Sequence, residues 1–348
     1  MERVNAAAVI AAFLFAGSSP AHADIQGAGA SFPSKVYATW SETYQRDAGV
    51  RVAYKPTGSG DGVKQITERA VAFAGSDTPL SPAELAKRKL VQFPTVVGGI
   101  VPVVHLPGLG ERGLQLDGGT LADIQLGDIA RWDDPRIAEL NKGVRLPALP
   151  IQRIVRAEKS GTTEGYTRYL SQVSAAFKTQ VGDSQLPKWP GAVVSAEGND
   201  GMVRALKATP GAIAYVSYDR VVNDRLADVR LRNAAGQFVR ASENGFRSAI
   251  RESELGRTGN DLASLLDRPG VETWPITTAT FALLDANPKA ADAAAPALRF
   301  LYWCFLHGDD LTRGTGFAPL PIVVQARIAA RFASVKAQDG RALHYLSY

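Results

Sequence analysis

Apolar positions along the chain follow two different periods. Short apolar runs typical of β-strands occupy residues 50–54, 91–106, 151–156, 212–216 and 281–284. Between these runs, apolar residues recur every three or four positions, which is the spacing of one helix face. Strands that alternate with amphipathic helices predict an α/β fold.

Several helices can be placed from this spacing. The first is predicted from Pro33 onward, and a later one from residue 160 through Phe177. Two more are predicted to close the chain, over residues 295–307 and 321–337. The buried face of the first helix carries Val36, Tyr37, Trp40 and Tyr44, and that of a helix after residue 60 carries Val63, Ile66, Ala70 and Val71.

One helix start has a specific signature. Ser81 precedes Pro82, and Glu84 follows three residues after the serine. This is the capping-box pattern combined with proline at the first helical position, so it predicts a helix that begins at Pro82.

The amino terminus has the pattern of an export signal. A short polar segment with one arginine precedes the apolar run 6–17, and Ala21 and Ala23 supply the small residues before a cleavage site. The run is too short for a membrane-spanning helix, which needs about 20 apolar residues. We therefore predict that residues 1–23 are a signal peptide. No cysteine stands directly after the run, so no lipid anchor is expected.

Composition narrows the function classes. The 348 residues suffice for two domains, and the net charge of +5 comes from scattered Lys and Arg residues rather than a basic run. This distribution argues against a nucleic-acid surface. The single cysteine, Cys304, cannot form an internal disulfide and lies in an aromatic segment, where we expect it to be a core residue.

The candidate chemistry lies where helices are predicted to begin. The segments GAGASFP (27–33), GSG (58–60) and SGT (160–162) each place glycine and a hydroxyl residue there. A helix amino terminus presents unpaired N–H groups and a partial positive charge, which together favour an anion. Each segment alone also fits an ordinary helix cap. The glycine-rich segment 58–62 lacks the G-x-G-x-x-G spacing of a dinucleotide-binding loop, and the chain contains no Walker phosphate loop.

Ten segments, in matching order, resemble the periplasmic phosphate-binding proteins of Pst-type ABC transporters. The similarity extends over essentially the whole chain after residue 23. The segments are residues 27–33, 62–66, 76–81, 93–99, 116–118, 132–134, 160–162, 198–201, 210–213 and 274–277.

The resemblance implies a two-lobed, type II periplasmic-binding-protein fold with the ligand cleft between the lobes. We place lobe I at residues 24–99 plus 275–348 and lobe II at residues 100–274. The implied function is capture of inorganic phosphate in the periplasm and its delivery to the permease of an ABC importer. The protein is then a monomer that needs no cofactor and no metal.

The resemblance also implies a set of phosphate ligands. They come from residues that match the family's motifs: Ser31, Phe32 (through its amide), Ser59, Asp77, Arg156, Ser160, Gly161 (through its amide) and Thr162. The guanidinium of Arg156 can pair with two phosphate oxygens. Asp77 can accept a hydrogen bond from the proton that phosphate carries, whereas sulfate has no such proton and would be repelled.

Two positions depart from the family's usual pattern. Ser31 stands where threonine is common and retains the hydroxyl group. Asp61 stands where small residues are common, and a carboxylate that faced the cleft would oppose an anion. We expect Asp61 to point outward, in the first turn of its helix.

Three other functions remain open at this point. A serine hydrolase would need a base near Ser59 or Ser160, but His105, His307 and His344 lie in none of these motifs, so we predict that the chain is not an enzyme. Arsenate is protonated like phosphate, so the sequence does not separate these two ligands. A phosphate sensor or interaction protein without a transport role would keep the same fold.

Overall fold

A computed structural model describes residues 25–109 and 113–346, which form twelve strands and thirteen helices. The strands are β1 (Ile25–Gly29), β2 (Val52–Lys55), β3 (Phe73–Ser76), β4 (Leu90–His105), β5 (Leu114–Leu116), β6 (Gln152–Arg156), β7 (Val194–Ala196), β8 (Ala212–Ser217), β9 (Ala227–Arg232), β10 (Phe238–Val239), β11 (Thr277–Asp285) and β12 (Phe317–Pro319). The helices are α1 (Ser34–Ala48), α2 (Ser59–Thr67), α3 (Pro82–Arg88), α4 (Gly118–Leu126), α5 (Pro135–Leu140), α6 (Gly161–Val173), α7 (Ala175–Gln180), α8 (Gly198–Ala208), α9 (Tyr218–Asp224), α10 (Glu243–Arg251), α11 (Glu254–Thr258), α12 (Ala291–Thr312) and α13 (Ile322–Phe332). The predicted signal peptide lies outside the described residues, among which no helix is both long and apolar enough to cross a membrane.

A single long strand, β4, joins two groups of strands. Residues 90–99 of β4 pair with β11, whereas residues 100–105 pair with β8. The resulting strand order is β2-β1-β3-β11-β4-β8-β6-β7. We call β2, β1, β3, β11 and residues 90–99 of β4 the first half-sheet, and residues 100–105 of β4 with β8, β6 and β7 the second half-sheet. The α/β class predicted from the strand and helix pattern is confirmed.

The parallel strands end at the same place in each half-sheet. β1 is parallel to both β2 and β3, with α1 and α2 as the crossover helices, and β6 is parallel to both β8 and β7. In open α/β sheets, ligands bind beyond the carboxyl ends of such strands. The connections that follow β1, β2, β3 and β6 contain the residues predicted to bind phosphate.

The buried face of α1 is the one predicted. Its apolar residues are buried and pack toward α12, where the ring of Tyr44 meets Phe300 and Trp303 edge-on with centroid distances of 5.3 and 5.4 Å. Cys304 is buried in the same core, and burial raises the pKa of its thiol well above the usual value. The prediction that Cys304 is a core residue is therefore confirmed.

The helix after residue 60 is shorter than predicted. Its pattern extends to Ala70 and Val71, but α2 ends at Thr67, because Arg69 adopts a left-handed conformation with φ of 59°. The Arg69 side chain donates hydrogen bonds to the carbonyls of Ile66 and Thr67 and pairs with Asp285 of β11 at 2.7 Å. A tertiary contact therefore ends this helix where apolar spacing alone would continue it.

The helix predicted from residue 160 through Phe177 is two helices. Ser174 has extended backbone angles and caps α7, its hydroxyl accepting a hydrogen bond from the Phe177 amide at 3.2 Å. By contrast, α3 begins at Pro82 as predicted, and both hydrogen bonds of the Ser81–Glu84 capping box are formed.

Candidate anion-binding site

All eight residues predicted to bind phosphate lie beside the junction of the two half-sheets, and each is buried. Those of the first half-sheet follow β1, β2 and β3, and those of the second follow β6. Among these eight residues, three hydrogen bonds join the set that follows β1, β2 and β3 to the set that follows β6. They join Arg156 to Ser31 (3.0 Å), the Gly161 amide to the Ser59 hydroxyl (3.2 Å) and Thr162 to Asp77 (3.4 Å).

The Ser59 hydroxyl, at the start of α2, uses both of its lone pairs within the protein. It accepts one hydrogen bond from the Asp77 amide and one from the Gly161 amide, both at 3.2 Å. A serine hydroxyl has two acceptor positions and one proton. The proton of Ser59 therefore remains available for a further acceptor.

The guanidinium of Arg156 is held by a carboxylate. Arg156 ends β6, its side chain is almost entirely buried, and its Nε donates to Glu158 Oε1 at 2.8 Å. Its Nη2 bonds to the same carboxylate oxygen and to the Ser31 hydroxyl. Its Nη1 is buried and has no hydrogen-bond partner among the described residues. A guanidinium N–H group forms strong hydrogen bonds to anionic oxygens, so this buried donor is suited to an anion.

Asp77 is the acid of the site. It follows β3, is only 5% exposed, and accepts hydrogen bonds from Thr280 at 2.7 Å and Thr162 at 3.4 Å. Desolvation raises its pKa to about 7, while the bond from Thr280, the charge of Arg156 and the bond from Thr162 act in the opposite direction. Near neutral pH, the Asp77 carboxyl can therefore either accept or donate a hydrogen bond.

Helix amino termini supply the remaining donors. Ser160 caps α6, and its hydroxyl accepts a hydrogen bond from the Thr163 amide at 3.2 Å. Gly161 and Thr162 are the first two residues of this 13-residue helix, so neither amide has a partner within the helix. The Gly161 amide donates to the Ser59 hydroxyl here, so a ligand would have to share or replace that hydrogen bond. Ser31 and Phe32 lie in the turn that leads into α1. The dipoles of both helices favour a negative charge at these termini.

Glycine is required at position 161 because the two half-sheets meet there. A Cβ atom on this residue would lie 2.6 Å from Ser59 Oγ and 2.8 Å from Asp77 Cβ. Both distances are too short for an ordinary contact, so a larger residue would have to separate α6 from the first half-sheet.

Asp61 is directed along its own helix. Its Oδ2 accepts a hydrogen bond from Gln65 Nε2 at 2.5 Å, one turn later in α2. It lines an outer groove of about 690 Å³ together with Lys64 and Lys159, and none of the eight predicted ligands lines this groove. This position agrees with the expectation that Asp61 points away from the site.

Three further residues belong to the site but were not assigned from the sequence: Glu158, Asn199 and Thr280. Glu158 lies two residues after Arg156, and Asn199 lies in the quoted segment 198–201, so the sequence contained a signal for both. Thr280 lies within β11, opposite the end of β3, and is placed by the pairing of Phe281 with Ser76. No local pattern in the sequence marks Thr280.

The hydroxyls of Ser59 and Ser160 are hydrogen-bonded to the protein backbone. The partners of Ser59 and Ser160 are backbone amides, whereas His105, whose Nδ1 lies 3.0 Å from the Leu206 carbonyl oxygen, contacts neither serine. Among residues 25–109 and 113–346, no cluster of His, Cys, Asp and Glu could hold a metal ion.

The chain is similar to proteins of one family over most of its length. The family model of the PBP superfamily domain matches residues 16–306. Phosphate-binding protein PstS of Pasteurella multocida is 38% identical over 92% of this chain and 93% of its own length. The protein of the same name from Haemophilus influenzae is 38% identical over 88% of this chain and 92% of its own length.

Solved structures share the fold. A high-affinity periplasmic phosphate-binding protein, PfluDING, solved with bound phosphate, matches with a TM-score of 0.70 at 24% identity, over 93% of this chain and 96% of its own. A phosphate-binding protein from Stenotrophomonas maltophilia gives a TM-score of 0.69 at 23% identity, covering 90% of this chain and 94% of its own. The two-lobed binding-protein fold predicted from the sequence is confirmed by these matches.

The raised pKa of Asp77 predicts a pH-dependent stability. Between about pH 4 and pH 7, folded Asp77 keeps its proton, whereas the unfolded chain, with a carboxyl pKa of about 3.9, has released it. The unfolded state then binds fewer protons, so this group lowers the free energy of unfolding as pH rises. The free energy of unfolding of Asp77→Asn, relative to that of the natural protein, should therefore rise by about 2–4 kcal/mol between pH 4 and pH 8. Urea denaturation of anion-free protein measures this gain, and a stability difference independent of pH would contradict the assignment.

Proposed function

Since the chain belongs to the family of phosphate-binding proteins within the PBP superfamily, we propose that it captures inorganic phosphate between its two lobes and delivers it to an ABC importer. Members of this family bind a solute for transport, and the chain is a binding protein, not an enzyme. The proposal depends most on the orphan Nη1 of Arg156, a buried donor on a guanidinium that also bonds to the Ser31 hydroxyl.

The proposed ligand set matches the charge and the proton of phosphate. The oxygens of the anion face the guanidinium of Arg156, the hydroxyls of Ser31 and Ser59, and the donors at the start of α6. The Phe32 amide adds a donor from the turn before α1. Asp77 accepts a hydrogen bond from the proton that phosphate still carries. Sulfate lacks that proton, so an ionised Asp77 would face it acceptor to acceptor.

The proposed ligands are divided between the two lobes, so phosphate binding should favour lobe closure. We propose lobe I at residues 24–99 plus 275–348 and lobe II at residues 100–274, which divides β4 where its pairing changes from β11 to β8. Ser31, Phe32, Ser59 and Asp77 then belong to lobe I, and the ligands from Arg156 to Thr162 belong to lobe II. Phosphate that contacts both sets favours the closed arrangement by its differential affinity for the two states.

The proposal includes a cellular role in phosphate uptake. We propose that residues 1–23 direct export to the periplasm, where the mature protein acts as a monomer and a permease recognises its closed form. A sensor without a transport role would bind phosphate equally well. Uptake of radioactive phosphate by cells lacking the gene separates these roles, because loss of high-affinity uptake is expected only for a transport component.

Calorimetric titration tests the ligand. The protein is unfolded and refolded to remove bound anion, and phosphate, arsenate and sulfate are then titrated separately at pH 8. We expect one phosphate per chain and no heat from sulfate. A response to arsenate alone, or to no oxyanion, would contradict the proposal.

Asp77→Asn should weaken the rejection of sulfate while phosphate still binds. The amide no longer places a negative charge against sulfate and can donate a hydrogen bond to it. For the same reason, the natural protein should reject sulfate less strongly at pH 5, where Asp77 is protonated. Competition of sulfate with labelled phosphate measures the ratio of affinities. Asp61→Asn is the control with the same charge change, and an equal shift in both variants would contradict the role of Asp77.

Gly161→Ala should lower phosphate affinity by at least about fivefold, because the added methyl group separates the half-sheets where the ligands converge. Overpacking of this kind costs about 1–3 kcal/mol. Gly119→Ala, at a position in α4 whose nearest added contact would be 3.7 Å away, is the control. Calorimetry gives the dissociation constants. Unchanged affinity in Gly161→Ala would rule out this close approach as a requirement for binding.

A further inference from the structure

The hydroxyl of Ser31 has no acceptor capacity left for a ligand. Its Oγ lies 3.0 Å from Arg156 Nη2 and 3.3 Å from Asn199 Nδ2, and both nitrogens are donors. Two donated hydrogen bonds occupy the two lone pairs of a serine oxygen. The single proton of Ser31 is then directed away from both donors.

Asn199 cannot reverse its amide to relieve this arrangement. Its Oδ1 accepts a hydrogen bond from the Ser217 backbone amide at 3.1 Å, and that N–H group can only donate. A reversed side chain would set Nδ2 against this N–H group. Asn199 is only 3% exposed, so water cannot readily replace the lost bond. The Ser217 amide therefore fixes which atom of Asn199 faces Ser31.

Arg156, the other donor to Ser31, is fixed in the same way. Its Nε and Nη2 both bond to Glu158 Oε1, which also accepts a hydrogen bond from the Gly198 amide at 3.2 Å. Gly198 and Asn199 are the first two residues of α8. The start of α8 thus orients both donors to Ser31, one directly and one through Glu158.

We propose that Asn199 is a positioning residue for phosphate binding, which holds the Ser31 hydroxyl so that its proton points at the ligand. The inference rests on the proposed function, since it takes phosphate as the acceptor. Ser59 has the same arrangement, with its lone pairs occupied by the amides of Asp77 and Gly161. Both hydroxyls therefore act as donors only, and they favour ligand oxygens that carry no proton.

Loss of the Asn199 donor would free one lone pair of Ser31. The hydroxyl could then rotate, and its proton would no longer be committed to the ligand. A hydrogen bond to a charged group contributes about 1.5–3 kcal/mol, so a misdirected bond of this kind corresponds to at least about a tenfold loss of affinity.

A double-mutant cycle on phosphate affinity tests this role. Calorimetry is performed on the natural protein, Asn199→Ala, Ser31→Ala and the double variant. We expect Asn199→Ala to raise the dissociation constant about tenfold when Ser31 is present, and less than about twofold when Ser31 is already alanine. Equal fold-changes in the two backgrounds would show that Asn199 does not act through Ser31 and would overturn the inference. Absence of phosphate binding by the natural protein would instead overturn the proposed function, and this inference with it.

Two further variants separate positioning from folding. Asn141→Ala removes another buried amide with comparable bonds, to the carbonyls of Gln115 and Ile137 at 2.8 Å, and should reduce stability without changing phosphate affinity. Asn199→Asp keeps the acceptor for the Ser217 amide but replaces the donor that faces Ser31 with an acceptor. It should fold and bind phosphate more weakly than Asn199→Ala does. Binding by Asn199→Asp as tight as that of the natural protein would overturn the inference.

Discussion

The buried guanidinium of Arg156 is the group on which the rest of the site depends. A charge this deeply buried is costly unless it is paired and hydrogen-bonded. Glu158 supplies the pairing on one edge of the guanidinium, Ser31 accepts a further bond, and Nη1 remains unpaired. An anion that contacts Nη1 completes the hydrogen bonding of a cation that the protein alone leaves unfinished. The contact between the anion and Nη1 would then both contribute binding energy and favour closure of the lobes.

The topology explains how distant parts of the sequence reach this cation. Parallel strands in both half-sheets end at the junction, and helices begin just beyond them. Each such helix brings unpaired amides and a favourable dipole. β4 belongs to both half-sheets, so one continuous strand connects the two sets of ligands.

Local sequence patterns predicted the parts of the structure that local forces determine. The capping box at Ser81 and the buried face of α1 follow from side chains a few residues apart. The end of α2 and the contact of Thr280 with Asp77 could not be predicted in this way, because each depends on β11, more than 200 residues away. The ligand set came from the family resemblance, since each glycine-hydroxyl segment alone fits an ordinary cap. Asn199 was visible in a matched segment, but its role depends on the Ser217 amide, which only the folded chain brings near.

A crystal structure of the refolded protein with added phosphate tests the central claim most directly. The account predicts one phosphate enclosed at the junction of the half-sheets, with an oxygen within hydrogen-bond distance of Arg156 Nη1 and another facing Asp77. Phosphate bound elsewhere, or enclosed without contact to Nη1, would contradict it.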